Sequence, residues 1–238
     1  MARKKQPRVV STGSGENIRQ YAVAVGVVIV TVLGLRHYTI AAGSTGLSSL
    51  NQSLAASTLV LLGVVLLLGP LARLYGIFDG FLKYRKELGV MTFFTGAAHV
   101  YLVMFPLARR GPFGFYLAQP VSAYAGLTGL VIMFILLVLS VSVVERAIGT
   151  RVWWKLQYWG ARLAFVAIVL HALVLKYAGW GRWISQRMGL PPLGFLAGVF
   201  AAFVLVVRIS EVFGSRPART VTAASFLTAV VFTAWVFM

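Results

Sequence analysis

Apolar residues run through this chain in long, nearly unbroken blocks, with polar and charged residues confined to the stretches between them. A bilayer core of about 30 Å takes about 20 residues of apolar helix. Seven blocks reach that length or approach it: Tyr21–Ala42, Leu54–Leu74, Leu88–Leu107, Val121–Val144, Tyr158–Tyr177, Pro192–Val212 and Val221–Met238. The second and fourth are the most continuous. The fifth holds Arg162 and Lys176 near its ends, whose long stems must carry the charges out to the interface if it spans. The last is the shortest. The pattern predicts an all-α fold: a polytopic membrane helical bundle of six to seven transmembrane helices over residues 21–238, preceded by a basic cytoplasmic tail over residues 1–20. The stretches between blocks are too short to fold as independent domains. The first block follows its charges without a convincing cleavage signal, so it reads as a retained span.

Composition supports this class. Of 238 residues, 59% are hydrophobic and only 11% charged, too few charges for the surface of a soluble helical domain of this size. The basic excess, 22 Lys and Arg against 5 Asp and Glu, is spread between the apolar blocks and forms no single stripe, which argues against nucleic acid. It does fix an expected orientation. With the N-terminus in the cytoplasm, fifteen of the 22 basic residues fall on that side, six on the other, and Arg162 lies within the fifth block. That is the bias of the positive-inside rule. Trp153, Trp154, Trp159, Trp180 and Trp183 flank the fifth block as an aromatic belt would. With no cysteine, thiolate ligands and iron–sulfur clusters are ruled out.

The chemistry centres on two of the three histidines. His99 and His171 sit inside the third and fifth blocks, where an ionisable side chain is costly and faces a cavity, a partner or a cofactor. Both blocks run outward in the expected topology, and at 1.5 Å per residue both imidazoles lie about 9–12 Å from the outer end. Matched depth on parallel helices is what a b-type heme standing between them requires. Two axial imidazoles leave no open position on the iron, which suits electron transfer. Gly96 and Thr95 precede His99 by about a turn, and Ala167 and Ala164 precede His171; small residues there would let a flat macrocycle approach, or would simply help helices pack. His37 lies beside Arg36 near the outer end of the first block. It reads as interfacial, with a heme-propionate contact shared with Arg36, or a quinone contact, as its functional alternatives.

Several short motifs then fall in a familiar order. Leu68-Gly69-Pro70-Leu71 closes the second block, Arg85-Lys86-Glu87-Leu88-Gly89 leads into the third, and Ala98-His99 follows. After the fourth come Glu145-Arg146-Ala147-Ile148-Gly149, Trp153-Trp154-Lys155-Leu156-Gln157 and Leu170-His171. From Leu54 to Lys176 the chain resembles the ferric reductase-like transmembrane domain family. It is most similar to standalone bacterial members such as the heme-binding membrane subunit of methionine sulfoxide reductase. The resemblance implies one b heme with His99 and His171 as axial ligands, a quinol or flavin (FMN) donor, and an acceptor at the outer face. Where the family often carries a second histidine after Trp-x-x-Leu, this chain has Gln157, so a second heme is not expected.

The leading expectation is therefore a membrane-embedded electron-transfer subunit of an oxidoreductase in a bacterial inner membrane. Its electrons would come from the quinone pool or a flavin reductase and pass to a periplasmic reductase or ferric iron. Arg109, Arg110, Lys176 and Arg182 would steer an acidic partner or hold propionates. A transporter is disfavoured because no Asp or Glu lies within a block and no proline splits one midway. A heme-free scaffold is the other alternative.

Overall fold

A computed structural model describes residues 14–76, 78–108, 114, 118–186 and 189–238. The basic residues expected of the tail before Ser14, together with Arg109, Arg110 and Arg187, lie outside the described residues. Among the described residues there are helices and turns but no strand. In chain order they are α1 (Ser14–Ala41), α2 (Gly46–Tyr75), a 3-10 turn (Asp79–Tyr84), α3 (Arg85–Met104), α4 (Pro120–Leu139), α5 (Ser142–Ile148), α6 (Thr150–Gln186), α7 (Leu193–Ser210), a second 3-10 turn (Glu211–Phe213) and α8 (Ser215–Phe237). Seven of these helical stretches are long and apolar enough to cross a bilayer, the last included. The bundle is an all-α, multi-pass membrane protein.

The boundaries have local causes. α2 ends where Gly76 takes a left-handed conformation (φ 70°) and returns its N–H to the carbonyl of Ala72, the usual glycine stop. α4 opens with Pro120 in its first turn, where the missing N–H is of no consequence. Elsewhere the ends depart from the apolar blocks both ways: α3 stops at Met104 and α4 at Leu139, short of the expected Leu107 and Val144, while other helices run past their blocks. α1 begins at Ser14, so residues 14–20, expected as tail, form its first two turns. α2 begins at Gly46 and draws the polar run Ser48–Ser53 into helix. α6 has 37 residues, about 55 Å at helical rise, and so outreaches a hydrocarbon core of about 30 Å.

α2 is the hub: 67% of its apolar window is buried, against 11% for α6 and α8. Leu59, Leu62 and Leu66 of α2 meet Met133 of α4, Ala164, Phe165 and Val169 of α6, and Ala201, Val204 and Val207 of α7. On its other flank Leu61, Val65 and Leu68 pack with Ala24 and Val28 of α1 and Leu88 of α3. The most extensive helix pair is α4 with α6. A Cβ at Gly129 would stand 2.8 Å from Ile168, and one at Gly160 2.7 Å from Leu136, so glycine on each helix sets their close approach. α2 and α4 each pack against both α3 and α6, and these four helices enclose the site.

The tryptophans divide between two roles. Trp154 and Trp159 are exposed, as belt residues should be. Trp180 and Trp183 instead pack edge-on and tilted against Phe195 of α7, at centroid distances of 5.9 and 5.5 Å.

Candidate functional site

α3 carries His99 and α6 carries His171, and the bundle brings the two rings together: their centroids are 6.3 Å apart and their planes inclined by 71°. Each ring is anchored from behind. Nδ1 of His99 lies 2.8 Å from Oδ1 of Asn51 on α2. Nδ1 of His171 lies 2.7 Å from the backbone oxygen of Ser122 on α4, and the Ser122 hydroxyl donates to the backbone oxygen of His171 at 3.1 Å. An amide or peptide oxygen only accepts, so each Nδ1 donates and each neutral ring keeps its lone pair on Nε2. Buttressing of one nitrogen by a carbonyl, with the other presented for coordination, is the usual arrangement of a metal-binding histidine.

A cavity of about 360 Å³ lies among α2, α3, α4, α6 and the start of α7, its wall including Asn51, Gly96, His99, Gly126, His171 and Lys176. Room for the His171 ring comes from the facing helix. A Cβ at Gly126 would stand 2.7 Å from Nδ1 of His171, so any larger residue there would displace the ring. The polar side of the α2–α3 contact is a threonine pair, Thr58 donating to Thr95 at 3.0 Å, with Thr95 donating on to the carbonyl of Thr92.

The ring separation can be compared with the reach of a single ion. A first-row metal binds an imidazole nitrogen at about 2.0 Å and the ring centroid lies about 1.1 Å farther on, so two imidazoles trans across one ion have centroids about 6 Å apart. The observed spacing of 6.3 Å meets that figure, and rotation about the common axis leaves the interplanar angle unconstrained. Among the described residues no group of three or more His, Cys, Asp or Glu comes together.

The other residues singled out in the sequence are placed variously. Gly96 is buried, lines the cavity, and would set a Cβ 3.2 Å from Met133 and 3.3 Å from Thr58. Ala167 is not in the cavity wall; it faces Gly129 in the α4–α6 seam. Arg36 and His37 lie on α1, which packs chiefly on α2 and α3, and neither reaches the cavity wall. His37 is exposed, while the Nε of Arg36 is buried with no hydrogen-bond partner. The cation at the histidine cavity is Lys176. Three residues escaped the sequence reading: Asn51, Ser122 and Gly126. The run of polar residues before Leu54 was the only signal for the first.

A sequence model of the ferric reductase like transmembrane component matches residues 54–161. The match includes His99 and most of the helices around the cavity and ends before His171. No curated protein matches the chain.

Proposed function

We propose that this chain is the electron-transfer subunit of a membrane oxidoreductase, because residues 54–161 match the ferric reductase like transmembrane component, a domain type suited to moving electrons within a membrane. In this reading it holds one b heme between His99 and His171. The observation that supports it most directly is the 6.3 Å separation of two imidazoles, each with Nδ1 tied to an oxygen acceptor. Two histidines supply only two positions around a metal, and a porphyrin brings the other four. Such a heme, held by His99 and His171, would supply one-electron chemistry.

The chain's own residues then have defined tasks. His99 and His171 coordinate through Nε2. Asn51 and Ser122 hold the ring orientations and raise the basicity of the ligands. Gly126 admits the His171 ring, Gly96 keeps the α3 wall low, and Lys176 offers a cation for a carboxylate at the cavity mouth. A quinol or flavin donor on the cytoplasmic side and a reductase or ferric iron outside complete the reading, in a bacterial inner membrane with the N-terminus in the cytoplasm. The bias of basic residues supports that direction.

The test is the reduced-minus-oxidised optical spectrum of the detergent-purified protein beside His99→Ala and His171→Ala. A low-spin b-type spectrum with one heme per chain, lost in both variants while each still elutes as a folded protein, is the expected result. Absence of heme from wild-type protein expressed with ample heme supply would overturn the reading in favour of a heme-free scaffold or transport component.

A further inference from the structure

The same four helices enclose a second, larger cavity, about 520 Å³, at their opposite ends. The histidine cavity is lined by the first half of α2 and the last turns of α3. The second is lined by the last turns of α2, the start of α3, the end of α4 and the first turns of α6, and Met133 lies in both walls. Its charge is one-sided. Arg73, Lys83, Arg85, Lys86 and Arg208 line it, and among the described residues no carboxylate does. Glu211 pairs with Arg73 and Arg208. Among the described residues Lys83, Arg85 and Lys86 form no ion pair. The Nε of Arg85 donates to the carbonyl of Val65 at 3.0 Å, which directs the guanidinium along the cavity toward Gly69, where a Cβ would stand 3.5 Å from Nη1.

Cations gathered beside apolar walls repel one another more strongly than they would in water, and they call for an anion. The walls say which kind. Leu62 and Val65 of its lining are buried and with Leu136 and Leu137 make one side apolar, while Trp154 and Tyr158 are exposed, as the interfacial aromatics that mark the headgroup level of a bilayer are. The cavity thus runs from the headgroup level toward the hydrocarbon, cationic at one end and oily at the other. Basic pockets between transmembrane helices on the cytoplasmic side take anionic lipid headgroups. We propose that this cavity binds an anionic phospholipid, with its phosphate on Arg85 and Lys86 and its acyl chain along the α2–α4 wall. The assignment is independent of heme.

The experiment reconstitutes the full chain in vesicles of phosphatidylcholine alone or with phosphatidylglycerol, and counts retained lipid by native mass spectrometry while following thermal unfolding. Phosphatidylglycerol should stay bound and raise the melting temperature. Each basic side chain near an anionic headgroup contributes about fivefold in affinity, so Arg85→Gln with Lys86→Gln should weaken retention about 25-fold. Gly89→Leu keeps every charge. A Cβ at Gly89 meets nothing within 4 Å, so the new side chain enters open cavity space and favours helix. It should lower retention without unfolding the protein. Arg216→Gln removes an exposed cation of α8 outside the cavity and should change retention less than twofold. Equal losses from Arg216→Gln and Arg85→Gln would mean diffuse surface attraction and overturn the proposal, as would full retention in Gly89→Leu. Displacement of phosphatidylglycerol by flavin mononucleotide or by inorganic phosphate would overturn the lipid assignment in favour of a soluble phosphate ligand.

Discussion

Asn51 and Ser122 buttress the two histidines from different sources, and that difference is testable. His99 relies on a side-chain oxygen, whereas Nδ1 of His171 lies 2.7 Å from a backbone oxygen. Loss of such a buttress typically lowers metal affinity about 10–100-fold. Asn51→Ala should therefore weaken heme binding by that order in titrations of the heme-free protein, while Ser122→Ala, which keeps the carbonyl, should bind within a few-fold of wild type. Equal losses in the two would mean that the buttress argument fails. Gly126→Ala presses a methyl group to 2.7 Å from Nδ1 of His171 and should shift the iron from low-spin toward high-spin, read in the Soret region of a folded variant. The histidines were legible in the sequence because ionisable groups stand out in apolar blocks. Asn51 was not, because the apolar run begins at Leu54 while the helix begins at Gly46. Gly126 was missed for a different reason. Spacing within a segment points only to small residues one turn back along each histidine's own helix, whereas the clearance comes from the helix opposite.

Each expected span has a helix at its core, since a run of about 20 apolar residues leaves the backbone no other way to satisfy itself in lipid, but the fourth, expected to reach Val144, breaks after Leu139. The ends were less legible because helix continues into polar flanks once packing supports it: α6 extends back to Thr150 through Trp153, whose Nε1 donates to the carbonyl of Leu139 at 2.6 Å. Arg162 leans back one turn toward the start of α6, stacking on the exposed Tyr158 with its carbon 3.2 Å from the ring centroid and donating to the Tyr158 carbonyl at 2.7 Å. Ends are also tied across helices. At the foot of α7, Arg208 pairs with Glu211 at 2.6 Å and reaches the carbonyl of Leu66 on α2 at 3.4 Å, and Glu211 also pairs with Arg73 of α2. Arg208 and Glu211 are only 10% and 12% exposed, Arg73 65%. Removing one partner of an enclosed pair leaves the other charge uncompensated, at about 3 kcal/mol, whereas an exposed partner contributes about 0–1 kcal/mol. Glu211→Gln should accordingly destabilise the detergent-solubilised protein well beyond Arg73→Gln in thermal unfolding. Similar effects from both would show that Arg208 is compensated by something other than Glu211.

The two cavities give the molecule a polarity that neither the apolar blocks nor the charge count could display: histidines and Lys176 at one end of α2, α3, α4 and α6, a basic chamber at the other. Which end faces the cytoplasm decides the direction of any electron path. In the orientation proposed from the bias of basic residues, the chamber faces the cytoplasm and the histidine cavity lies toward the outer face. The absence of native cysteine makes this orientation directly measurable, because any introduced thiol is unique. Thr45 precedes α2 at the histidine end, is exposed, and makes no side-chain cap. Ser215 opens α8 at the opposite end and is also exposed. Thr45→Cys should react with a membrane-impermeant maleimide in intact spheroplasts, and Ser215→Cys only after permeabilisation. The reverse pattern would place His99 and His171 nearer the cytoplasm. The outward electron path proposed for this chain would then be wrong even if its heme were confirmed.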